Sequence, residues 1–259
     1  SIVRKDNDEN ILILELEPEE IMLFFGAERE QRRLISISEV PQDLINAVLA
    51  AEDNRFYQHS GVDPAGIARA IYTNLRYGSI RQGGSTITQQ LAKNYFLTPE
   101  RTFIRKFNEL LISITLELKY EKDEILEIYL NEIYFGQKGT VSINGVGEAA
   151  VFYFGKSVDK LSLAEAAVIG GIIKAPNYYS PYVDKQRCRQ RRDQVLQAMY
   201  KKEWIPFDEF MDAKEKSIDT TGYTAYGRKA PYFIDYLSSQ LEILYPKEAL
   251  SSLGMSIYT

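Results

Sequence analysis

Four short segments place chemically useful side chains at spacings that can bring them together. Glu52 ends an apolar-periodic stretch, directly before Asp53-Asn54-Arg55-Phe56. A carboxylate at the edge of an apolar stripe is partly desolvated, which raises its pKa, while the nearby Arg55 works the other way. Such a group suits general acid–base chemistry; the plainer reading is a solvated glutamate at a helix end. The second segment is Gln82-Gly83-Gly84-Ser85-Thr86-Ile87-Thr88-Gln89-Gln90. Paired glycines let a backbone approach a ligand, and Thr86 and Gln89 have capping-box spacing. A helix starting there offers free N–H groups and its positive dipole end to an anion such as phosphate, and Lys93, one turn after Gln89, can point the same way. Without a ligand, the segment is a glycine turn before a well-capped helix. The third segment holds Arg101, Arg105, Lys106 and Glu109. If a helix reaches back to Arg101, then Arg101, Arg105 and Glu109 share one face. That face is either a solvated, salt-bridged one opposite an apolar stripe or a phosphate clamp with a carboxylate beside it. The fourth, Lys122 through Asn131, reads as a packing helix with Asp123 as its N-cap.

The same inventory excludes other chemistries. His59 is the only histidine and Cys188 the only cysteine, so neither a His/Cys zinc cluster nor an intrachain disulfide can form. A Ser-His-Asp triad lacks its nucleophile-elbow serine. Ser157-Val158-Asp159-Lys160 has the Ser-x-x-Lys spacing of penicillin-reactive enzymes, but no Lys-Thr-Gly follows. The run from Gly78 to Ser85 resembles a P-loop, yet Gly84 stands where the lysine is required. The net charge of −5 argues against a nucleic-acid partner.

These segments need elements to hold them. The 259 residues suffice for one large domain, or one domain with an appendage, and 45% apolar content is ordinary for a protein with a sizeable core. Short β-prone runs occupy residues 11–16 and 34–37, with a breaker at Gly26. From Pro41 onward the pattern is helical, and Leu44, Val48 and the pair Ala51/Glu52 share a stripe. A second helix carries Ile104, Phe107, Leu111, Ile114 and Leu118 at 3.6-residue spacing, and a third covers about 122–134. A fourth opens with the capping box Ser162-Leu163-Ala164-Glu165 and ends before Pro176. Further helices are expected over about 185–202 and 231–245. The expected fold is mainly α, with a few short strands near the N-terminus. No apolar run reaches the ~18–20 residues of a membrane span. Ser1 leads into charged residues rather than a signal peptide, so the chain is either cytosolic or separated from its anchor.

Taken in order, the segments resemble the signature motifs of the family 51 glycosyltransferases. Glu52-Asp53-Asn54-Arg55-Phe56-Tyr57-Gln58-His59-Ser60-Gly61 looks like the first motif. Gly78 with the run from Gln82 to Asn94 looks like the second, and Arg105-Lys106-Phe107-Asn108-Glu109 like the third. Ile125-Leu126-Glu127-Ile128-Tyr129-Leu130-Asn131 looks like the fourth. Tyr153-Phe154-Gly155-Lys156 and Arg191-Arg192 with Val195-Leu196 match later family segments, so the resemblance covers about 41–213. It implies a lysozyme-like helical head with a smaller, membrane-associated jaw lobe. It also implies a layout: residues 1–40 before the head, 41–228 as the glycosyltransferase domain, and 229–259 as the linker of class A penicillin-binding proteins toward a transpeptidase domain. A single-pass anchor would precede Ser1.

The activity implied by the resemblance is inverting glycosyl transfer at the extracytoplasmic face of the bacterial cytoplasmic membrane. The GlcNAc 4-hydroxyl of lipid II attacks the MurNAc anomeric carbon of a growing chain carried on polyprenyl diphosphate. By similarity, Glu52 deprotonates that hydroxyl, and Lys93 and Arg101 hold the diphosphate. Glu109 lies near the leaving group, orienting the cations or helping to place a divalent metal, Mg or Mn; no organic cofactor is implied. Ser85, Thr86, Gln89 and Gln90 line the cleft, and Asp53, Gln82, Arg105 and Asn131 add to substrate binding. The implied partners are lipid II, the growing glycan, the membrane, moenomycin-type inhibitors and other wall-synthesis proteins. A base plus a cationic clamp fits this chemistry, because a diphosphate departs with its charge stabilised, whereas a glycoside hydrolase must protonate its leaving group and uses two carboxylates. One alternative is a lytic transglycosylase or muramidase of the same fold, against which the basic clamp argues. Another is a non-catalytic precursor-binding scaffold, against which the intact Glu52 and Glu109 argue. Residues 62–80 carry Ile67, Ile71, Leu75 and Ile80 beside Arg69, Arg76 and Arg81, the pattern of an interfacial segment. The same spacing also serves a helix packed on the core; residues 103–118 are then the next place to look.

Overall fold

The computed structural model describes residues 2–3, 10–11, 30–78, 83–96, 102–138, 141–221, 236 and 240. The chain divides into two compact units, Ser1–Glu28 with Thr224–Thr259, and Arg29–Tyr223. In the first, β1 (Ile2–Val3) pairs antiparallel with β2 (Asn10–Ile11). The strand expected over 11–16 is described only at Ile11, and the helix expected over 231–245 lies almost wholly outside the described residues.

The second unit runs through β3 (Glu30–Arg32), α1 (Gln42–Glu52), α2 (Pro64–Tyr77), α3 (Ile87–Phe96), α4 (Phe103–Lys119), α5 (Lys122–Glu132), β4 (Tyr134–Lys138), β5 (Val141–Asn144), α6 (Val146–Phe154), α7 (Leu163–Ile172), the single turn α8 (Pro176–Tyr179), α9 (Lys185–Lys201) and α10 (Phe207–Glu215). The mainly helical expectation is met. A small sheet has the order β3-β5-β4, with β3 parallel and β4 antiparallel to β5. The unit therefore begins before Pro41.

Residues 34–37 were expected as a strand and are not one. Their alternation is real, with Leu34 and Ser36 exposed and Ile35 and Ile37 half-buried, but no strand among the described residues pairs with them. A side-chain amide takes that place instead. The Ile35 N–H donates to Asn131 Oδ1 at 3.0 Å, and Asn131 Nδ2 donates to the Ile35 carbonyl at 2.8 Å.

The core is organised around α7, whose sequence is apolar nearly all round and which is buried along most of its length, as such a helix must be. Its capping box forms as expected, with the Ser162 N–H donating to Glu165 Oε2 at 2.9 Å. α7 packs between α1 and α9. A Cβ at Gly170 would stand 2.8 Å from the Ala47 carbonyl, and one at Gly171 would stand 3.1 Å from Arg191 Cγ. Leu44 and Val48 of α1, Leu126 and Leu130 of α5 and Ile169 of α7 are fully buried, each contributing about 1.5–3 kcal/mol.

α4 reverses the sidedness that its pattern suggests. Phe103, Ile104, Phe107 and Leu118 are 97%, 75%, 61% and 83% exposed, while Glu109 and Ser113 on the polar side are buried. The loop after α1 covers that polar side. Gly61, with φ of +83°, lies so close that a Cβ there would come within 2.8 Å of the Ser113 carbonyl; only glycine adopts this backbone without strain. Thr102 caps α4, its hydroxyl accepting from the Arg105 N–H at 3.1 Å. The helix therefore starts at Phe103, with Arg105 and Glu109 one turn apart on it. α5 is capped by Glu121 rather than Asp123, through a bond from the Glu121 N–H to Glu124 Oε2 at 2.8 Å. Asp123 instead accepts from the Tyr57 hydroxyl at 2.8 Å.

Candidate active site

Glu52 is the last residue of α1 and looks across a cleft at the first turn of α3. Gln90 Nε2 donates to Glu52 Oε2 at 2.9 Å, and the amide is itself oriented by the Tyr129 hydroxyl, which donates to Gln90 Oε1 at 3.1 Å. Burial pushes the Glu52 carboxyl above its ordinary range; the Gln90 bond and the charges of Arg191 and Lys174 offset part of that rise, and Asp53 adds to it. Glu52 is half-buried and hydrogen-bonded rather than freely solvated. The same burial, with the Glu52 and Asp53 charges, holds the Tyr129 hydroxyl well above the tyrosine range, so it stays a donor.

The next residue joins the loop to α3. Asp53 takes both its oxygens to His59 Nε2, at 3.0 and 3.1 Å, and Oδ2 also accepts the Ile87 N–H at 3.1 Å. Thr86 donates its hydroxyl to the Gly61 carbonyl at 2.6 Å and accepts the Gln89 N–H at 3.1 Å. Gln89 closes the expected capping box by accepting the Thr86 N–H at 3.1 Å. The positive end of α3 is thus partly occupied by protein: Asp53 and Thr86 take the N–H groups of Ile87 and Gln89 that the sequence offers to an anion. Gln89 is buried, whereas Lys93, a turn later on the same helix, is exposed.

The cation cluster lies on α4. Glu109, 2% exposed, receives Arg105 Nη1 at 3.4 Å and, by a short bond, Lys106 Nζ. Lys106 also donates to Ser85 Oγ at 3.0 Å, and Ser85 lines the Glu52 cleft. A buried acid thus orders two cations at the cleft edge. Gln82 and Arg101 lie outside the described residues. No group of three or more His, Cys, Asp or Glu side chains suited to a metal is gathered among the described residues, and both Glu109 oxygens are taken by cations. In this arrangement Glu109 organises cations and offers no free oxygen of its own.

The cleft has a volume of about 350 Å³ and is lined by Glu52, Asp53, Asn54, Asp63, Arg69, Gly83, Gly84, Ser85, Thr86, Gln90, Lys174 and Arg191, with Ala50, Ala51 and Gly66. Of these, sequence reasoning gave Lys174 no role, Arg191 only a match to a later family segment and Arg69 only a place in the interfacial segment; Lys106 was in the cation segment, without its bonds to Glu109 and Ser85. Lys174 follows α7 with no periodicity around it, and Arg191 sits in a basic helix that reads as a solvated face. A second cavity of about 310 Å³ is lined by Ser162, Glu165, Arg192 and residues 216–219 among others. Its polar groups are committed: Lys156 holds Glu165 at 2.8 Å, and Arg192 donates to the Lys214 and Lys216 carbonyls and to Asp193.

Asn131 is not part of the cleft lining. Besides its two bonds to Ile35, its Nδ2 donates to the Glu127 carbonyl at 3.0 Å. We expect Asn131→Ala to lower unfolding stability by about 1–3 kcal/mol, because the Ile35 backbone loses its partners. Urea denaturation measures this; unchanged stability with weakened substrate binding would return Asn131 to the site.

With this geometry in view, residues 19–200 match the family model described as Transglycosylase. The chain belongs to the transglycosylase family. Among relatives of this chain, penicillin-binding protein 1B of Haemophilus influenzae is 39% identical over 240 residues, covering 92% of this chain and 31% of that protein. Penicillin-binding protein 1A of Escherichia coli K12 is 41% identical over 232 residues, covering 89% and 27%. A 2.6 Å crystal structure of penicillin-binding protein 1A from Haemophilus influenzae shares the fold, with a TM-score of 0.50 at 24% identity over 87% of this chain and 23% of that one. The chain spans less than a third of the length of these curated relatives.

Proposed function

We propose that this transglycosylase is a peptidoglycan glycosyltransferase that polymerises lipid II. One observation carries the reading: a desolvated carboxylate faces a cleft whose edge holds cations ordered by a buried acid. Glu52 accepts the proton of the acceptor GlcNAc 4-hydroxyl. The oxygen forms a bond to the donor MurNAc C1 from the face opposite the leaving group, the C1–O bond breaks, and polyprenyl diphosphate departs with the electron pair. Lys106 and Arg105, with Lys93 and Arg101, meet the charge that accumulates there. The other acids of the cleft are committed, Asp53 to His59 and the Ile87 N–H, and Asp63 to Arg55 at 3.6 Å. Among the described residues of the cleft, these pairings argue against a second free carboxylate for the acid role of a hydrolase.

The substrate's polyprenyl tail places the reaction at a membrane surface, and we assign it to the extracytoplasmic face of the cytoplasmic membrane. No described helix is long and apolar enough to cross a membrane. Ile71 and Leu75 of α2 are 55% and 77% exposed and share this character with the outer stripe of α4. Exposed apolar residues with flanking arginines suit interfacial docking. In lipid II-bearing liposomes the chain is expected to yield a glycan ladder on gels. Paired Ile71→Ser and Leu75→Ser substitutions should release it from liposomes and slow polymerisation while leaving its melting temperature nearly unchanged. A folded chain that leaves lipid II intact but frees soluble muropeptides from sacculi would instead be a lytic enzyme.

A further inference from the structure

Glu52, Lys174 and Arg191 reach one cleft from three parts of the chain distant in sequence. The glycine pair of α7 makes this possible. Gly170 lets α7 lie against the backbone of α1 at Ala47, and Gly171 leaves room for the stem of Arg191. Arg191 is held in place: Nε donates to the Gly171 carbonyl at 3.3 Å, Nη1 donates to Gln194 Oε1 at 3.3 Å, and the guanidinium lies 5.7 Å from the Tyr179 ring centre. Neither Arg191 nor Lys174 has a carboxylate within ion-pair distance among the described residues, unlike Arg187 and Lys156 nearby, which do. Both cations are partly desolvated. Burial pulls both ionisations down, the two oppose each other at Lys174, and Glu52 supports both.

Several elements supply the groups around Glu52, with Arg69 of α2 and Asp63 before it also lining the cleft. Asp53 adds a like charge from the end of α1, Gln90 of α3 donates a hydrogen bond, and Tyr129 of α5 is held neutral behind Gln90. Arg191 of α9 and Lys174 beyond α7 supply the positive charge. A carboxylate desolvated beside another carboxylate tends toward its neutral acid, which cannot accept a proton. We propose that Arg191 and Lys174 are positioning residues for the transfer, acting through Glu52 as its fixed counter-charge. The proposal rests on Glu52 being the base.

The test uses Arg191→Gln, Lys174→Gln and Arg191→Lys in the whole chain. Two readouts are taken: the pH dependence of the initial polymerisation rate, and the titration of the Glu52 carboxyl carbon by 13C NMR without substrate, identified by its loss in Glu52→Gln. Losing either cation is expected to move both the acid limb of the rate profile and the Glu52 titration to higher pH, by on the order of one unit. Arg191→Lys, which keeps the charge, should move them less. A purely structural role would lower the melting temperature without moving either curve. Lys174 is exposed, so Lys174→Gln keeps the test open if Arg191→Gln does not fold. If the Glu52 titration stays in place in a folded variant lacking either cation, the counter-charge role is overturned while the base assignment stands; normal turnover by Glu52→Gln overturns both.

Discussion

Glu52→Gln is expected to slow polymerisation by roughly 10²–10⁴-fold, the usual contribution of a general base. Glutamine keeps the shape of the side chain and an oxygen for the Gln90 amide, so lipid II binding should survive. The wild-type rate should fall as pH drops through the elevated Glu52 pKa, since the protonated acid takes no proton, and the variant's residual rate should lack that limb. A stability consequence runs the other way. The folded state raises the Glu52 pKa, so it favours the protonated form; that stability is present at low pH and is lost as pH rises through the folded pKa. Glutamine resembles the protonated form, so at neutral pH the variant should melt no lower than its parent. Initial rates on lipid II and thermal melts measure both, and near-normal turnover by a folded variant refutes the base.

Lys106→Ala should cost about 10²–10³-fold in rate, the scale for removing one donor from charge that develops in a transition state. Lys106 joins Ser85 at the cleft to buried Glu109, so its loss removes a cation from the leaving group and leaves Glu109 with Arg105 alone. Lys93→Ala and Arg101→Ala should act in the same direction through charge only. Moenomycin, a phosphoglycolipid, should lose affinity for all three, and Lys106→Arg should recover part of what Lys106→Ala loses. Equilibrium binding of labelled moenomycin beside single-turnover rates separates binding from chemistry. Unchanged moenomycin affinity in all three variants would place the diphosphate elsewhere.

Local signals proved legible, and long-range ones did not. The capping pairs Ser162/Glu165 and Thr86/Gln89 span three residues, so sequence spacing was enough to read them, and both form. Glu52 at the end of an apolar stripe was readable for the same reason. The period of α4 was correct, but a period says only which residues share a face, not what that face meets; Ser113 on the polar side is covered at Gly61 by the loop that follows α1, some fifty residues earlier. The period-two alternation at 34–37 was real, yet a strand needs a neighbour, and Asn131 fills that place with a side chain. Lys174 carried no local mark, and Arg191 only a family match without a role, because their meaning comes from Glu52, more than a hundred residues away. The resemblance to the family 51 glycosyltransferases supplied the order of the motifs but not the detail that Asn131 holds backbone.

The glycine pair in α7 exposes a conflict between robustness and activity. Glycine within a helix is about 1 kcal/mol less favourable than alanine, so α7 is weaker on its own than a helix of alanines would be. Replacing glycines with alanine is a common way to engineer heat tolerance. Here it would strengthen one helix by forcing α1 or the Arg191 stem away from its seat. A thermostabilised version of this chain will therefore have to gain its stability elsewhere, on the exposed faces of α9 and α10 for example, and leave residues 170 and 171 as they are.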